Sequence, residues 1–362
     1  MKIGPSQLFK VLEALDRSGR SPFVWGPPGI GKSEIVRQYA IRNEYNFIDV
    51  RLSMIDPTSL MGVPVPVNAD KGSDVLKLRW SRPWFLDHDP NKKTVLFLDE
   101  FNSAPPSVMA AAYQLILDKR VGEHVLNPDR VFIVAAGNGA GDRGVTYVMP
   151  KPLSNRLVHI YLEVNAQDFL NYAVENNFNR NIVSFLTFKK DRIFNFDPKL
   201  ATEAFPTPRS WKFASDILNT IGDDVSNDLL APLIAGCVGE TAQAELFQYM
   251  KVASKLPDTT RILLDNKACE KKFTGDDLGL KYALIVSLCY SLRDILGESS
   301  RYSKEEKATA NENFMRYLLN NIPEKEMIVF AGKMVLGQMK LKIDVKSRSW
   351  QEFVKNFAKY VL

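Results

Sequence analysis

The residues that could do chemistry begin at position 26. Gly26-Pro27-Pro28-Gly29-Ile30-Gly31-Lys32-Ser33 satisfies the pattern G-x-x-x-x-G-K-[ST]. Glycines at these positions let the backbone wrap phosphate oxygens with N–H groups free of side chains, and a following helix adds its positive N-terminal end. In such a loop the Lys32 ammonium bridges the β- and γ-phosphates and the Ser33 hydroxyl ligates Mg²⁺. Nucleotide contact is therefore expected at Gly26, Pro28, Gly29, Ile30, Gly31, Lys32, Ser33 and Glu34. A cation in the first turn of a helix is locally unfavourable. Anionic phosphates reverse that penalty, so the conflict itself points to a ligand.

A second cluster lies at 94–100, Thr-Val-Leu-Phe-Leu-Asp-Glu, an apolar run that ends in two acids. A buried strand ending this way sets its carboxylates at the sheet edge where α/β proteins bind ligands. Asp99 is expected to hold Mg²⁺ through its water shell, with Ser33 as the other protein contact. Glu100 is left to polarise an attacking water, a task Asp99 cannot share while it serves the metal.

These groups need a scaffold, and the first 163 residues supply one pattern throughout. The runs at 23–25, 47–52, 95–98, 131–136 and 157–162 are mostly continuous in apolar residues, as expected for strands buried on both faces of a parallel sheet. A helical pattern at 33–42 follows the glycine-rich loop, and the fold class read here is α/β. Beyond Glu163 strand signals fade, and helices are expected at 166–176, 210–220, 228–253, 277–296 and 308–321. The expected domains are an αβα core over 1–163, a small helical domain over 164–265 and a helical extension over 266–362, with the seam near 271–275.

At this point the chain resembles a family. The loop at 26–33, followed by Leu98-Asp99-Glu100-Phe101-Asn102-Ser103-Ala104-Pro105-Pro106, is similar to the AAA+ ATPases, specifically their MoxR-like branch, over about residues 20–215. The resemblance implies a P-loop AAA+ core with a parallel sheet covered by helices, then a helical lid. It implies ATP and Mg²⁺ as cofactors and ATP hydrolysis as the activity. It places Asn138, at the end of the 131–138 run, at the sensor-1 position, where an amide holds water or γ-phosphate without adding charge. Arg156, in Pro152-Leu153-Ser154-Asn155-Arg156, falls on the arginine finger, whose planar guanidinium suits a transferring phosphoryl group; Arg143 is the nearest rival. Arg209, after Thr207 as N-cap and Pro208 at the first helical position, falls on sensor 2. Asn138 is followed by Gly139-Ala140-Gly141, where the branch commonly has Pro.

Two excursions interrupt the core pattern. Residues 54–86 read as a hairpin insert, with Pro64 and Pro66 suited to an edge, and 118–130 resembles the pre-sensor hairpin. Within 62–82, Lys71, Lys77, Arg79 and Arg82 against Asp70 and Asp74 leave a net +2. A solvated face is the plainer reading of that charge, and Trp80 and Trp84 are read as packing anchors.

Composition bounds the rest. The 362 residues are 45% apolar and 25% charged with a net charge of +5, which is ordinary globular composition and no nucleic-acid coat. Cys237, Cys269 and Cys289 lack disulfide or zinc spacing, and His88, His124 and His159 lack metal-site partners. With no signal-peptide pattern and no apolar stretch near ~20 residues, a cytoplasmic protein without membrane insertion is expected. The resemblance implies a homo-oligomeric ring, a hexamer, with Arg156 supplied by the neighbouring subunit. It further implies chaperone-like remodelling of a protein partner bearing a von Willebrand factor A domain. Two other readings stay open: a DNA- or RNA-associated motor or loader, and a nucleotide-gated scaffold with little turnover.

Overall fold

In a computed structural model of the chain, the described residues are 1–68, 76–86, 89, 91–139, 147–198, 202–221 and 227–361. Asp70, Lys71, Asp74, His88 and Arg143 lie outside them. Two compact units result, one built on Met1–Asn165 and the other on Ala166–Asp197 and Ala201–Leu362.

The first unit runs β1 (Lys2–Ile3), α1 (Pro5–Arg17), β2 (Pro22–Trp25), α2 (Lys32–Arg42), β3 (Asn46–Arg51), α3 (Pro57–Met61), β4 (Pro64–Asn68), β5 (Leu76–Trp80), β6 (Thr94–Asp99), α4 (Pro106–Asp118), β7 (Arg120–Val121), β8 (His124–Val125), β9 (Val131–Gly137), α5 (Lys151–Ser154) and β10 (Val158–Leu162). Six of the strands form one parallel sheet in the order β1-β10-β2-β9-β6-β3. The chain leaves β2 for the far edge at β3 and then fills the gap with β6 and β9. The carboxyl ends of β2, β9 and β6 therefore lie side by side at a switch in strand order, the place where open α/β sheets bind ligands.

Burial follows position in this sheet. Every residue of β6 and β9 is buried. The expectation of burial on both faces fails for β3, an edge strand that is mostly half-buried, and for β10, which exposes Val158 and Tyr161. The outer neighbour of β10 is only two residues long, so little covers it. Phe23, Leu96, Leu98, Ile133 and Ala135 pack with Val108, Ala112 and Leu115 of α4 in one core. The alternate residues Val24, Val95, Phe97, Phe132 and Val134 are buried too, with α2 against β3, β6 and β9 and α1 against α2. That layer holds a buried carboxylate: Asp16 of α1 accepts from the Tyr39 hydroxyl of α2 at 3.0 Å and pairs with Lys93, just before β6, at 2.6 Å.

Both excursions are hairpins. Strands β4 and β5 pair antiparallel, Pro64 opposite Trp80, and form a separate two-stranded sheet, so the prolines interrupt no larger ladder. Strands β7 and β8 pair likewise. Glu123 at the second hairpin's turn accepts from the Trp80 N–H at 3.2 Å, so the hairpins brace one another. Trp84 departs from its reading as an anchor: it is 56% exposed, and the buried side chains there are Phe85 and Leu86. Arg82 donates to the Leu86 carbonyl at 2.8 Å and so belongs to this turn.

The second unit is helical: α6 (Ala166–Glu175), α7 (Arg180–Phe188), α8 (Pro208–Ile221), α9 (Asn227–Val238), α10 (Glu240–Ala253), α11 (Thr259–Leu264), α12 (Asn266–Cys269), α13 (Leu278–Leu296), α14 (Lys304–Asn321), α15 (Lys325–Lys333) and α16 (Arg348–Val361). The single helix expected at 228–253 is two. Gly239 breaks it with φ +84°, and a Cβ there would lie 2.8 Å from the Ala204 carbonyl oxygen. Helix α14 begins earlier than expected because Ser303 and Glu306 form a reciprocal capping box. Helix α13 packs on α7 and α10, and α14 on α11, across the position where a seam was expected. Among the described residues no helix is long and apolar enough to cross a membrane.

Candidate nucleotide-binding site

The glycine-rich loop joins β2 to α2 and is shaped by its sequence. Gly29 and Gly31 sit at φ +77° and +93°, a region that disfavours side chains. Gly26 meets a different demand: a Cβ would lie 2.6 Å from Ile30 Cδ1 and 3.0 Å from the Leu162 carbonyl oxygen. Ile30 is buried beneath the loop and serves as its floor. Helix α2 starts at Lys32 with Gly31 as N-cap, so the early N–H groups of 32–34 have no intrahelical acceptor and point out of the helix end. The Glu34 carboxylate turns along α2 instead, accepting from Arg37 Nε at 3.0 Å and Gln38 Nε2 at 2.9 Å. Its contribution at this site is therefore through the backbone.

The sequence separates Lys32, Ser33, Asp99, Glu100 and Asn138 by up to 106 positions, and the sheet brings them together. Lys32 is 8% exposed, and its Nζ donates to the Gly26 carbonyl at 2.6 Å, the Pro27 carbonyl at 3.0 Å and Asn138 Oδ1 at 2.9 Å. The three donors of the ammonium are thus met by uncharged protein oxygens, bonds that the oxygens of an anion would take over. The Ser33 hydroxyl donates to Asp99 Oδ2 at 2.7 Å, and the Glu100 N–H to Asp99 Oδ1 at 2.8 Å. A hydroxyl and a carboxylate in contact form the hard-oxygen donor set that Mg²⁺ takes when phosphates and water complete its shell. Among the described residues no group of three acids, histidines or cysteines converges as a metal cage.

Glu100 turns sharply away from its strand at φ +53°, ψ +34°, a left-handed conformation unusual for glutamate. Its carboxylate accepts a hydrogen bond from the Ser53 hydroxyl, in the turn after β3. Asp49 of β3 adds negative potential nearby. Burial pushes its carboxyl above the usual range first, and the charge on Asp99 adds to that.

Two further residues organise the site. Asn102 is 3% exposed; its amide donates to the Asn138 carbonyl at 2.7 Å and accepts from the Asn138 N–H at 3.1 Å. Asn138 is thus clamped by its backbone while its side chain faces Lys32. Gly137 makes room for the clamp, since a Cβ there would lie 2.2 Å from Asn102 Oδ1. The sequence signals for this pair were slight: a glycine before Asn138, and an asparagine two places after the acids. Ser53 carried no signal, being 47 positions from its partner.

The two arginines have surroundings of their own. Arg156 is exposed on the turn after α5, where Nη1 donates to the Tyr113 hydroxyl of α4 at 2.9 Å. Arg209 is exposed in the first turn of α8, in the helical unit. Thr207 caps that helix, its hydroxyl accepting from the Ser210 N–H at 3.0 Å while the Ser210 hydroxyl accepts from the Thr207 N–H at 2.8 Å.

No protein-family model matches the chain, and no curated protein matches it. Among solved structures it is similar to a RuvB mutant of Thermotoga maritima (15% identity, 87% of this chain and 86% of that one, TM-score 0.35). It is also similar to the RuvB Holliday junction branch migration motor of the same organism (15% identity, 72% and 73%, TM-score 0.33) and to NtrX of Brucella abortus (15% identity, 70% and 61%, TM-score 0.40). Likeness at this level says nothing of chemistry or partners, which rest on the chain's own residues.

Proposed function

We propose that this chain is a Mg²⁺-dependent ATPase of the AAA+ type. The observation that carries the reading is the convergence of Lys32, Ser33, Asp99 and Asn138 through hydrogen bonds of 2.7–2.9 Å at one edge of a parallel sheet. In this reading the backbone of 26–34 and Lys32 hold the triphosphate, and Ser33 and Asp99 hold Mg²⁺. The metal, when bound, neutralises charge on the phosphates. Glu100 takes the proton of the attacking water, and Asn138 orients that water or the γ-phosphate. Separate partners support separate roles for the two acids, since Asp99 accepts from Ser33 and Glu100 from Ser53.

The finer reading rests on resemblance to the MoxR-like branch. It is a ring, with Arg156 completing a neighbouring copy's site and Arg209 reporting nucleotide state from a lid at 164–265. The product of turnover is a remodelled protein partner carrying a von Willebrand factor A domain. The exposure of Arg156 at the chain's surface agrees with a role in trans. Exposed Lys77 and Arg79 on β5 favour nucleic acid as the second reading.

The test is a set of three variants assayed for ATP binding and turnover. Lys32→Ala should lose ATP binding, and retained tight affinity would refute the cradle. Glu100→Gln should bind ATP and not turn it over. Arg156→Ala should do the same, while a mixture of the last two should regain hydrolysis at shared interfaces. Single-stranded DNA should leave the rate unchanged; several-fold stimulation would favour the nucleic-acid reading.

A further inference from the structure

Trp25 is the last residue of β2 and directly precedes Gly26 of the loop. Its indole Nε1–H donates to His159 Nδ1 on β10 at 2.9 Å. An indole N–H is a donor only, so Nδ1 is the accepting nitrogen and the neutral ring carries its proton on Nε2. Nε2 lies 2.8 Å from the Ser154 carbonyl oxygen, an acceptor only, and 3.0 Å from the Ser154 hydroxyl. The bonds therefore have a fixed direction, from indole to imidazole to the last carbonyl of α5.

Aromatic packing holds the imidazole in that orientation. Its centroid is 6.0 Å from Trp25 at 26° and 6.1 Å from Phe23, and Trp25 stacks in turn on Tyr161 at 6.3 Å. The carbonyl it grips is two residues before Arg156, whose own N–H donates to Leu153 in the same turn at 3.0 Å. Arg156 is thus held at its backbone by the α5 turn and at its tip by Tyr113.

We propose that His159 is a positioning residue that fixes the α5 turn, and with it Arg156, relative to the strand that carries the phosphate loop. Trp25 sets the tautomer His159 needs for this. The proposal rests on the reading that Arg156 completes the site of a neighbouring copy. It goes beyond that reading by naming the side chains that aim the arginine and by linking them to the loop of the arginine's own subunit.

The test uses mixed assemblies in which each copy contributes one half of a site. Glu100→Gln supplies Arg156 without turning over ATP, and Arg156→Ala supplies the remaining catalytic groups. His159→Phe keeps an aromatic ring and removes both hydrogen bonds. Placed on the Glu100→Gln copy, it should lower kcat of the mixture by about tenfold or more with KM for ATP unchanged, the signature of a misaimed group. Placed on the Arg156→Ala copy, it should change kcat by no more than about threefold. His159→Gln can accept from the indole and donate to the carbonyl, and should restore most of the rate. Trp25→Phe, which removes the indole N–H together with the five-membered ring that carries it, should show the same asymmetry if His159→Phe folds poorly. Full turnover with His159→Phe on the Arg156-bearing copy would overturn the proposal, as would equal loss on either copy. A parent mixture that co-purifies through two tags yet stays inactive would instead remove Arg156 from its role, and His159 from its purpose with it.

Discussion

The packing of Gly137 against Asn102 makes a single methyl group a sharp probe of the site. In Gly137→Ala the new Cβ would lie 2.2 Å from Asn102 Oδ1, 2.9 Å from its Cγ and 2.9 Å from Phe23 Cζ. Phe23 is fully buried, so the amide must move and its two bonds to the Asn138 backbone must lengthen or break. Overpacking costs about 1–3 kcal/mol and each lost hydrogen bond about 1 kcal/mol, so a loss of about 2–4 kcal/mol is expected after partial relaxation. Urea unfolding followed by tryptophan fluorescence measures it directly. Because Asn138 shifts with its clamp, kcat should fall by up to ~10²-fold while ATP affinity changes little. Asn102→Ala removes the same bonds without the clash, so the double variant should lose less than the two singles summed, with a coupling of about 1–2 kcal/mol. An unchanged unfolding midpoint and turnover in Gly137→Ala would refute the clamp, and strict additivity would refute the contact that defines it.

Three other outcomes follow from particular residues. Asp16→Asn leaves Lys93 without its buried partner and should cost about 2–4 kcal/mol of stability, read by thermal unfolding; an unmoved midpoint would show that the pair contributes nothing net. Glu100→Gly relieves a left-handed glutamate, so it should abolish turnover while leaving unfolding stability equal or higher by up to ~1 kcal/mol, and a marked loss of stability would count against strain at this turn. In the helical unit, hydrogen bonds from Arg192 first, then Lys189, outweigh burial and hold the Glu245 carboxyl down at about 2. A depressed carboxyl adds stability above its unfolded value of 4.5 and loses it as pH falls toward 2. Glu245→Gln should therefore be weaker than the parent by about 1–3 kcal/mol at pH 7, after screening of the partly exposed Lys189, and equal to it near pH 2. An undiminished gap in acid would refute the pairing.

Much of the scaffold was legible because local chemistry and tertiary role agree there. The loop at 26–33 announces its turn, its glycines and its helix start together, and the buried strands β6 and β9 read as unbroken apolar runs because both of their faces are covered. Elements failed to read where context supplied the cause. Gly239 divides a helical pattern because the Ala204 carbonyl approaches it from elsewhere in the unit. The strand β10 looks like a buried strand but has only a two-residue neighbour outside it.

The site divides the same way. Residue types and spacing alone determined that a lysine and a hydroxyl open a helix behind a glycine-rich turn and that two acids close an apolar strand, since such turns and runs are local properties. Only the tertiary structure decided that Asn102 clamps Asn138, that Ser53 holds Glu100 and that Trp25 orients His159. Those pairs join residues 36, 47 and 134 positions apart. Hydrogen-bond partners at such distances depend on strand order and on the direction a side chain leaves its strand, which no short window of residues encodes.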